Sequence, residues 1–84
     1  MSKLHLIENL AVSDSGFLFL HTTGETFTLN KTGSEIVRML RSRKSKEEIL
    51  KFFTENYIVD TNTIEKDFEE LVAQLKFYSL VTEK

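Results

Sequence analysis

One stretch of the chain decides its fold, and it reads Gly24-Glu25-Thr26-Phe27-Thr28-Leu29-Asn30-Lys31-Thr32-Gly33. Phe27 and Leu29 point to one side of an extended strand, and the threonines between and before them point to the other. Asn30 is placed to cap a helix, because its side-chain oxygen can accept an otherwise unpaired backbone N–H of the first turn. Thr32 and Glu35 form an alternative capping box one step later. The stretch therefore predicts both the last strand and the first helix.

The composition predicts one small soluble domain that spans residues 1–84. The chain has 84 residues, of which 40% are apolar and 29% are charged, and it contains no cysteine. A chain of this length buries only about 60% of its unfolded surface, which leaves little room for a deep cleft. Without cysteine it has neither disulfides nor thiolate zinc ligands. It lacks both an apolar run of about 20 residues and a signal peptide, so we expect a cytoplasmic location and no membrane contact.

The first third of the chain predicts a small antiparallel sheet. Residues 4–12 mix apolar and polar positions and predict an irregular first strand, followed by a turn around Asp14. Residues 17–20 read Phe-Leu-Phe-Leu, which suits a central strand that is covered on both faces. A further turn at residues 22–24 returns the chain to a strand at residues 25–29. The simplest topology is a three-stranded meander whose third strand has one free edge.

Three helices follow these strands. The first is expected at residues 31–41, the second opens with a capping box of Ser45 and Glu48, and Asp60 caps the third and longest. The apolar stripe of the third helix recurs at spacings of four and three, at Ile64, Phe68, Leu71, Leu75 and Tyr78. The chain therefore predicts the α+β class, with a winged-helix-like domain in which a three-stranded antiparallel sheet is followed by three helices.

Three short helices and a small sheet are also the elements of DNA-binding winged-helix domains, so DNA binding is an alternative function. Basic residues gather around the first connection between helices, at Arg38, Arg41, Arg43, Lys44, Lys46 and Lys51. The formal net charge is nevertheless −2, and the third helix carries mostly carboxylates, which would repel phosphates. Nucleic acid is therefore a disfavoured partner, and both charge runs also fit ordinary solvated surfaces.

The residues offer no catalytic constellation. His5 and His21 have no partner pattern, and the three scattered glycines form no phosphate-binding loop. Two histidines do not define a metal site by spacing alone. We therefore predict a protein that is not an enzyme, with no catalytic residues, no metal site and no cofactor.

Three segments together resemble the PqqD family, coenzyme PQQ synthesis protein D. They are Leu29-Asn30-Lys31-Thr32-Gly33-Ser34-Glu35-Ile36, then Ser45-Lys46-Glu47-Glu48-Ile49, then Asp67-Phe68 followed by Leu71, Leu75 and Leu80-Val81. Each segment alone is only a cap followed by a helix stripe, but their order and spacing resemble the family from residue 11 to residue 81. The chain departs from the family at Ser79, where a glycine usually precedes the final apolar pair.

The resemblance implies a peptide-binding role. Proteins similar to PqqD, also called RiPP recognition elements, bind the leader segment of a ribosomally made precursor peptide. They present it to a modifying enzyme, often a radical SAM enzyme, in the synthesis of PQQ or of another modified peptide. In this family the leader adds as a strand to the third strand, in a groove walled by the third helix. The free edge that the meander leaves at residues 25–29 agrees with that role.

Candidate site residues follow from the resemblance. Backbone hydrogen bonds to the peptide are expected from Thr26, Phe27, Thr28 and Leu29, and pockets for its side chains from Phe68, Val72, Leu75 and Lys76. Proline in place of Leu29 is expected to abolish pairing by removing a ladder donor. A structural homodimer stays open as an alternative, because the second apolar face of residues 17–20 could bind another copy.

Overall fold

The computed structural model describes residues 4–13 and 15–83, so the expected role of Asp14 lies outside the described residues. In chain order the elements are β1 (Leu4–Leu6), β2 (Leu10–Val12), β3 (Phe17–Leu20), β4 (Thr26–Thr28), α1 (Lys31–Arg41), α2 (Lys46–Asn56), α3 (Thr61–Phe77) and β5 (Val81–Glu83). The strands β2, β3 and β4 form an antiparallel sheet with β3 in the middle. The predicted α+β architecture, a three-stranded sheet followed by three helices, is confirmed.

The region predicted as one irregular first strand contains two strands in different sheets. β2 joins the three-stranded sheet, whereas β1 pairs with β5 at the other end of the chain. Leu6 lies opposite Val81, and the N–H of Ile7 donates to the carbonyl of Leu80 at 3.1 Å. The pairing brings the two ends of the described chain together, which no local pattern in the sequence indicates.

The central strand is buried on one face only. Leu18 and Leu20 are 1% and 9% exposed and pack into the core, whereas Phe17 and Phe19 are 43% and 39% exposed. The prediction that this strand is covered on both faces is therefore wrong. Successive side chains of a strand point to opposite faces, and here the helices pack against the leucine face alone.

All three helices begin at the predicted caps. The Asn30 side chain accepts the N–H of Gly33 at 2.7 Å, so it caps α1 in preference to the alternative box at Thr32. Ser45 and Glu48 form the reciprocal box at the start of α2. The Asp60 carboxylate accepts the N–H of Asn62 at 3.1 Å and caps α3. Capping depends on residues two or three positions apart, which is why the sequence predicts it well.

The core lies between the leucine face of the sheet and all three helices. α3 supplies the largest share, and its buried stripe contains Ile64, Phe68, Leu71, Val72 and Leu75. The other members of the core are Leu10, Leu18, Leu20, Ile36, Val37, Leu40, Ile49, Phe53, Leu80 and Val81. The packing fixes α3 beside β4, and this placement creates the site described below.

The helix α3 ends in a left-handed turn at Ser79, whose φ is 60°. The N–H of Leu80 donates to the carbonyl of Leu75 at 2.8 Å, and that of Ser79 to Lys76 at 3.0 Å. These two bonds define a Schellman motif, in which glycine is the usual left-handed residue. Ser79 therefore adopts the left-handed turn at the position where the family usually has glycine.

Candidate functional site

Every second residue of β4 and its flanks directs its backbone N–H and C=O groups toward β3. The N–H of Leu29 donates to the carbonyl of Gly16 at 2.7 Å, and the N–H of Leu20 donates to the carbonyl of Glu25 at 2.9 Å. Hydrogen-bonded positions alternate along an antiparallel pair. Phe27 lies midway between Glu25 and Leu29, so its backbone groups also face β3.

The backbone groups of Thr26 and Thr28 consequently point to the open edge of the sheet. They offer two N–H donors and two C=O acceptors, because each residue carries one of each. None of the described strands pairs with this edge. The segment Thr26–Thr28 has no proline or charged side chain, two of the devices that protect exposed edges. The edge is therefore free to accept a further strand.

This orientation corrects the expectation for Leu29. Its N–H is already used inside the sheet by Gly16, so proline at this position would break a bond of the protein itself. Of the four predicted backbone positions, Thr26 and Thr28 face the open edge, whereas Phe27 and Leu29 face β3. The side chains of Phe27 and Leu29 are half-buried and lie on the helix side of the sheet.

A groove of about 470 Å³ runs beside the open edge, between β4 and α3. We call it the β4–α3 groove, and its walls include Phe27, Thr28, Leu71, Leu75 and Tyr78. The rings of Phe27 and Tyr78 have their centroids 4.9 Å apart and meet at 50°. Tyr78 remains 50% exposed, so this part of the groove presents apolar surface to solvent.

The groove continues into a polar section of about 300 Å³ where the chain passes from β4 into α1. Thr28 and Leu71 line both sections, whereas Asp67 and Glu70 line only the polar one.

The hollow of about 750 Å³ beside residues 54–60 is larger, but it is a shallow surface along consecutive residues and touches no strand. The groove combines an open backbone edge with an apolar wall, which this hollow does not.

The predicted helix residues are divided between the two sides of α3. Leu75 lines the groove, whereas Phe68 and Val72 lie in the core at 3% and 8% exposure and do not line it. Lys76 forms an ion pair with Glu83 on β5, on the other side of the helix. Peptide contact by these four residues stays a prediction.

Seven residues that line the groove were absent from the predicted site, and they are Leu18, Leu71, Ala73, Gln74, Phe77, Tyr78 and Leu80. Gln74 and Phe77 are exposed positions of α3, and Tyr78 caps its end. The spacing of three between Leu75 and Tyr78 was the available signal, since it continues the inner stripe toward the end of the helix. The sequence did not show which side of that stripe faces β4.

The basic residues around the first helix connection are mostly engaged within the protein. Within residues 4–13 and 15–83, partners are seen for four of the six, in the pairs Arg38–Glu35, Lys46–Glu65 and Lys51–Glu55 and in the hydrogen bond from Arg41 to the carbonyl of Leu10. The three carboxylate partners offset part of the positive charge that phosphates would need. The cluster therefore gives little support to DNA binding.

Lys46 also joins α2 to α3. Its ammonium lies 3.0 Å from a carboxylate oxygen of Glu65 and 3.9 Å from one of Glu69. The hydrogen bond to Glu65 is the main reason that the pKa of Lys46 lies above its ordinary value of 10.5, and the charges of Glu65, Glu69 and Glu47 add to it. Partial burial opposes the shift. The pair helps to hold α3 in place.

Neither a metal centre nor a membrane span is found in the part of the chain that the structure describes. No three or more His, Asp or Glu side chains at residues 4–13 and 15–83 gather closely enough to hold an ion. No helix there is long and apolar enough to cross a membrane.

A family model described as Coenzyme PQQ synthesis protein D (PqqD) matches residues 16–81. The chain belongs to the PqqD family. The matched segment runs from β3 into β5 and contains the open edge of β4 and the whole β4–α3 groove. Family membership thus covers the same part of the molecule as the site.

Two solved structures are similar to this PqqD-family chain. One is described as "Lasso peptide synthetase B1 complexed with the leader peptide", with 29% identity, a TM-score of 0.80, and coverage of 95% of this chain and 98% of that one. The other is "TbiB1 in Complex with the TbiA(beta) Leader Peptide", with 29% identity, a TM-score of 0.79, and coverage of 92% and 93%. A search of curated proteins gives no significant match.

Proposed function

We propose that this protein binds the leader segment of a ribosomally synthesised precursor peptide and presents it to a modifying enzyme. The observation that carries the proposal is the open backbone edge at Thr26 and Thr28, which lies beside an apolar groove. Membership of the PqqD family supports it, as do the two similar structures, which are both complexes with leader peptides.

Strand addition explains how such a peptide would be held. An extended segment would form up to four hydrogen bonds with the backbone of Thr26 and Thr28, and alternate side chains would enter the β4–α3 groove beside Phe27. These bonds contribute about 0.5–1.5 kcal/mol each, whereas a micromolar Kd requires about 8 kcal/mol. The backbone edge alone is therefore insufficient. Burial of apolar side chains against Leu71 and Tyr78, at about 1.5–3 kcal/mol each, supplies the remainder.

In this proposal the protein performs no chemical step of its own. It acts in the cytoplasm, where the ribosome makes its ligand, and raises the local concentration of the precursor beside the enzyme. The partner is a peptide-modifying enzyme, either a radical SAM enzyme or another component of a lasso-type synthetase. The product is PQQ or another modified peptide.

The test is an NMR titration of labelled protein with the leader peptide of the precursor encoded nearest to it. Amide exchange gives the sharpest readout, because Phe27 and Leu29 are already bonded to β3 whereas Thr26 and Thr28 are open. We expect the peptide to slow exchange at Thr26 and Thr28, and to shift resonances from Leu71 to Tyr78. A peptide of scrambled sequence and a DNA duplex at low salt are the controls. Shifts confined to Arg43 and its neighbours, or stronger binding of the duplex, would contradict the proposal.

A further inference from the structure

The polar section of the groove carries charge of one sign. Of the described residues that line it, Asp67 and Glu70 are the charged ones, and both are exposed side chains of α3. The N-terminus of α1 also lies here, but it offers only roughly half a positive elementary charge, less than one carboxylate. The N–H of Gly33 in its first turn is already bonded to the Asn30 side chain. The section is therefore net negative.

The hydrogen bonding of β4 determines which side chains of an added strand enter the groove. Directly opposite residues of an antiparallel pair place their side chains on the same face of the sheet. The leader residues opposite Phe27 and Leu29 therefore face the helices, as the side chains of Phe27 and Leu29 do. The leader residues opposite Thr26 and Thr28 exchange backbone hydrogen bonds with them and direct their side chains away from the helices. Backbone and side chains are thus recognised at alternate leader positions.

The two groove-facing positions have different surroundings. Phe27 and Tyr78 line the apolar section and not the polar one, so the leader residue opposite Phe27 is an apolar anchor. Leu29 lines both sections and lies next to the start of α1, where the polar section is found. The leader residue opposite Leu29, two positions from the anchor, therefore lies at the polar section.

We propose, on the basis of the leader-binding function above, that Asp67 and Glu70 determine leader specificity by rejecting an acidic side chain at the position opposite Leu29. A leader carboxylate there would face two charges of its own sign, and such like-charge contacts disfavour the wrong partner. A neutral or basic side chain meets no such repulsion. The protein thus selects leaders that carry an apolar anchor and, two residues away, a side chain without negative charge.

The first step of the experiment establishes how the leader is aligned with β4. The leader peptide of the nearest encoded precursor is N-methylated at one residue at a time, and calorimetric titration measures each affinity. Loss of an N–H should weaken binding about tenfold at the residues opposite Thr26 and Thr28, and about twofold or less at the residue between them. Sensitivity at the apolar anchor itself would indicate a parallel strand and overturn the alignment on which the inference rests.

The second step compares glutamine with glutamate at the leader position opposite Leu29. We expect the glutamate peptide to bind about tenfold more weakly in about 0.1 M salt. The difference should narrow in about 1 M salt, where the Debye length falls from about 10 Å to about 3 Å. The variant Asp67→Asn/Glu70→Gln should abolish it. Glu69→Gln is the matched control and should retain it, because Glu69 is the next residue of the same helix but lies 3.9 Å from Lys46 and does not line the groove.

Each other outcome contradicts the inference or the function beneath it. Equal affinities of the two peptides, or a difference that survives in Asp67→Asn/Glu70→Gln, overturn the inference while leader binding stands. A difference that Glu69→Gln abolishes equally would reflect the total charge of α3 and would overturn it too. Failure of the unmodified leader to bind the wild-type protein would remove the proposed function itself.

Discussion

The backbone N–H of Leu29 donates to the carbonyl of Gly16 at 2.7 Å and closes the ladder between β3 and β4. Gly16 has a φ of 91°, and an added Cβ would lie 3.0 Å from the Leu29 carbonyl oxygen and 3.1 Å from Ser34 Oγ. A side chain at Gly16 would thus strain both the turn and the contact. Hydrogen-bonded positions alternate along the pair, so this bond determines which residues of β4 turn their backbone groups toward β3. Thr26 and Thr28 are left facing the open edge.

Proline at Thr28 is expected to weaken leader binding about tenfold, because it removes one outward donor and sets a ring against the incoming strand. Calorimetric titration with the leader peptide measures the loss. Thr28→Val is the matched control, since it keeps the N–H and a β-branched side chain. Equal leader affinities of Thr28→Pro and Thr28→Val would argue against strand addition at this edge.

Proline at Leu29 is expected to act on stability first. It breaks the bond to Gly16 and leaves a carbonyl without its partner, at a cost of about 1–3 kcal/mol. The midpoint of thermal unfolding, followed by circular dichroism, should therefore fall by several degrees relative to Thr28→Pro. An unchanged midpoint would contradict the assigned orientation of β4.

Truncation on the two sides of α3 distinguishes the groove wall from the side that faces β5. Tyr78→Ala removes the ring that contacts Phe27 and is expected to lower leader affinity at least about tenfold. Lys76→Ala, which removes the ion pair with Glu83, is expected to change leader affinity about twofold or less. The reverse order of effects would place the peptide against the Lys76 side of the helix.

Glycine at Ser79 is expected to stabilise the protein. A non-glycine residue in the left-handed region costs about 1–2 kcal/mol, and the greater entropy of unfolded glycine returns about half of that. The net gain of roughly 0.5–1 kcal/mol should raise the unfolding midpoint by a few degrees. Ser42→Gly is the matched control, because Ser42 caps α1 with a φ of −83° and gains nothing from glycine. A larger gain at Ser42 would refute this account of the turn.

Replacing Lys46 with methionine tests the tie between α2 and α3. Because the pKa of Lys46 is raised on folding, its stabilisation is fully present below 10.5 and disappears as the pH rises through the higher pKa of the folded state. The side chain is 35% exposed, so we expect Lys46→Met to cost only about 0.5 kcal/mol at pH 7. Chemical denaturation at pH 7 and at a pH well above 10.5 measures the difference. A cost that persists undiminished at the higher pH would show that the ion pair is not its source.

Local interactions explain which parts of the fold the sequence was able to predict. Asn30, Ser45 and Asp60 each cap a helix through bonds to residues two or three positions ahead, so neighbouring residues specify them. The order of β2, β3 and β4 follows from short turns, and this order leaves β4 at an edge. Those two features were enough to predict the architecture and the strand that carries the open edge.

Long-range packing decided what the sequence left open. The pairing of β1 with β5 joins residues from opposite ends of the described chain, and no local pattern specifies such a partner. The exposure of Phe17 and Phe19 depends on which face of β3 the helices cover. The sequence by itself determined the elements, their caps and the open strand. Tertiary structure alone decided that the Tyr78 side of α3 faces β4, because a helical stripe specifies a buried side but not the element that packs beside it.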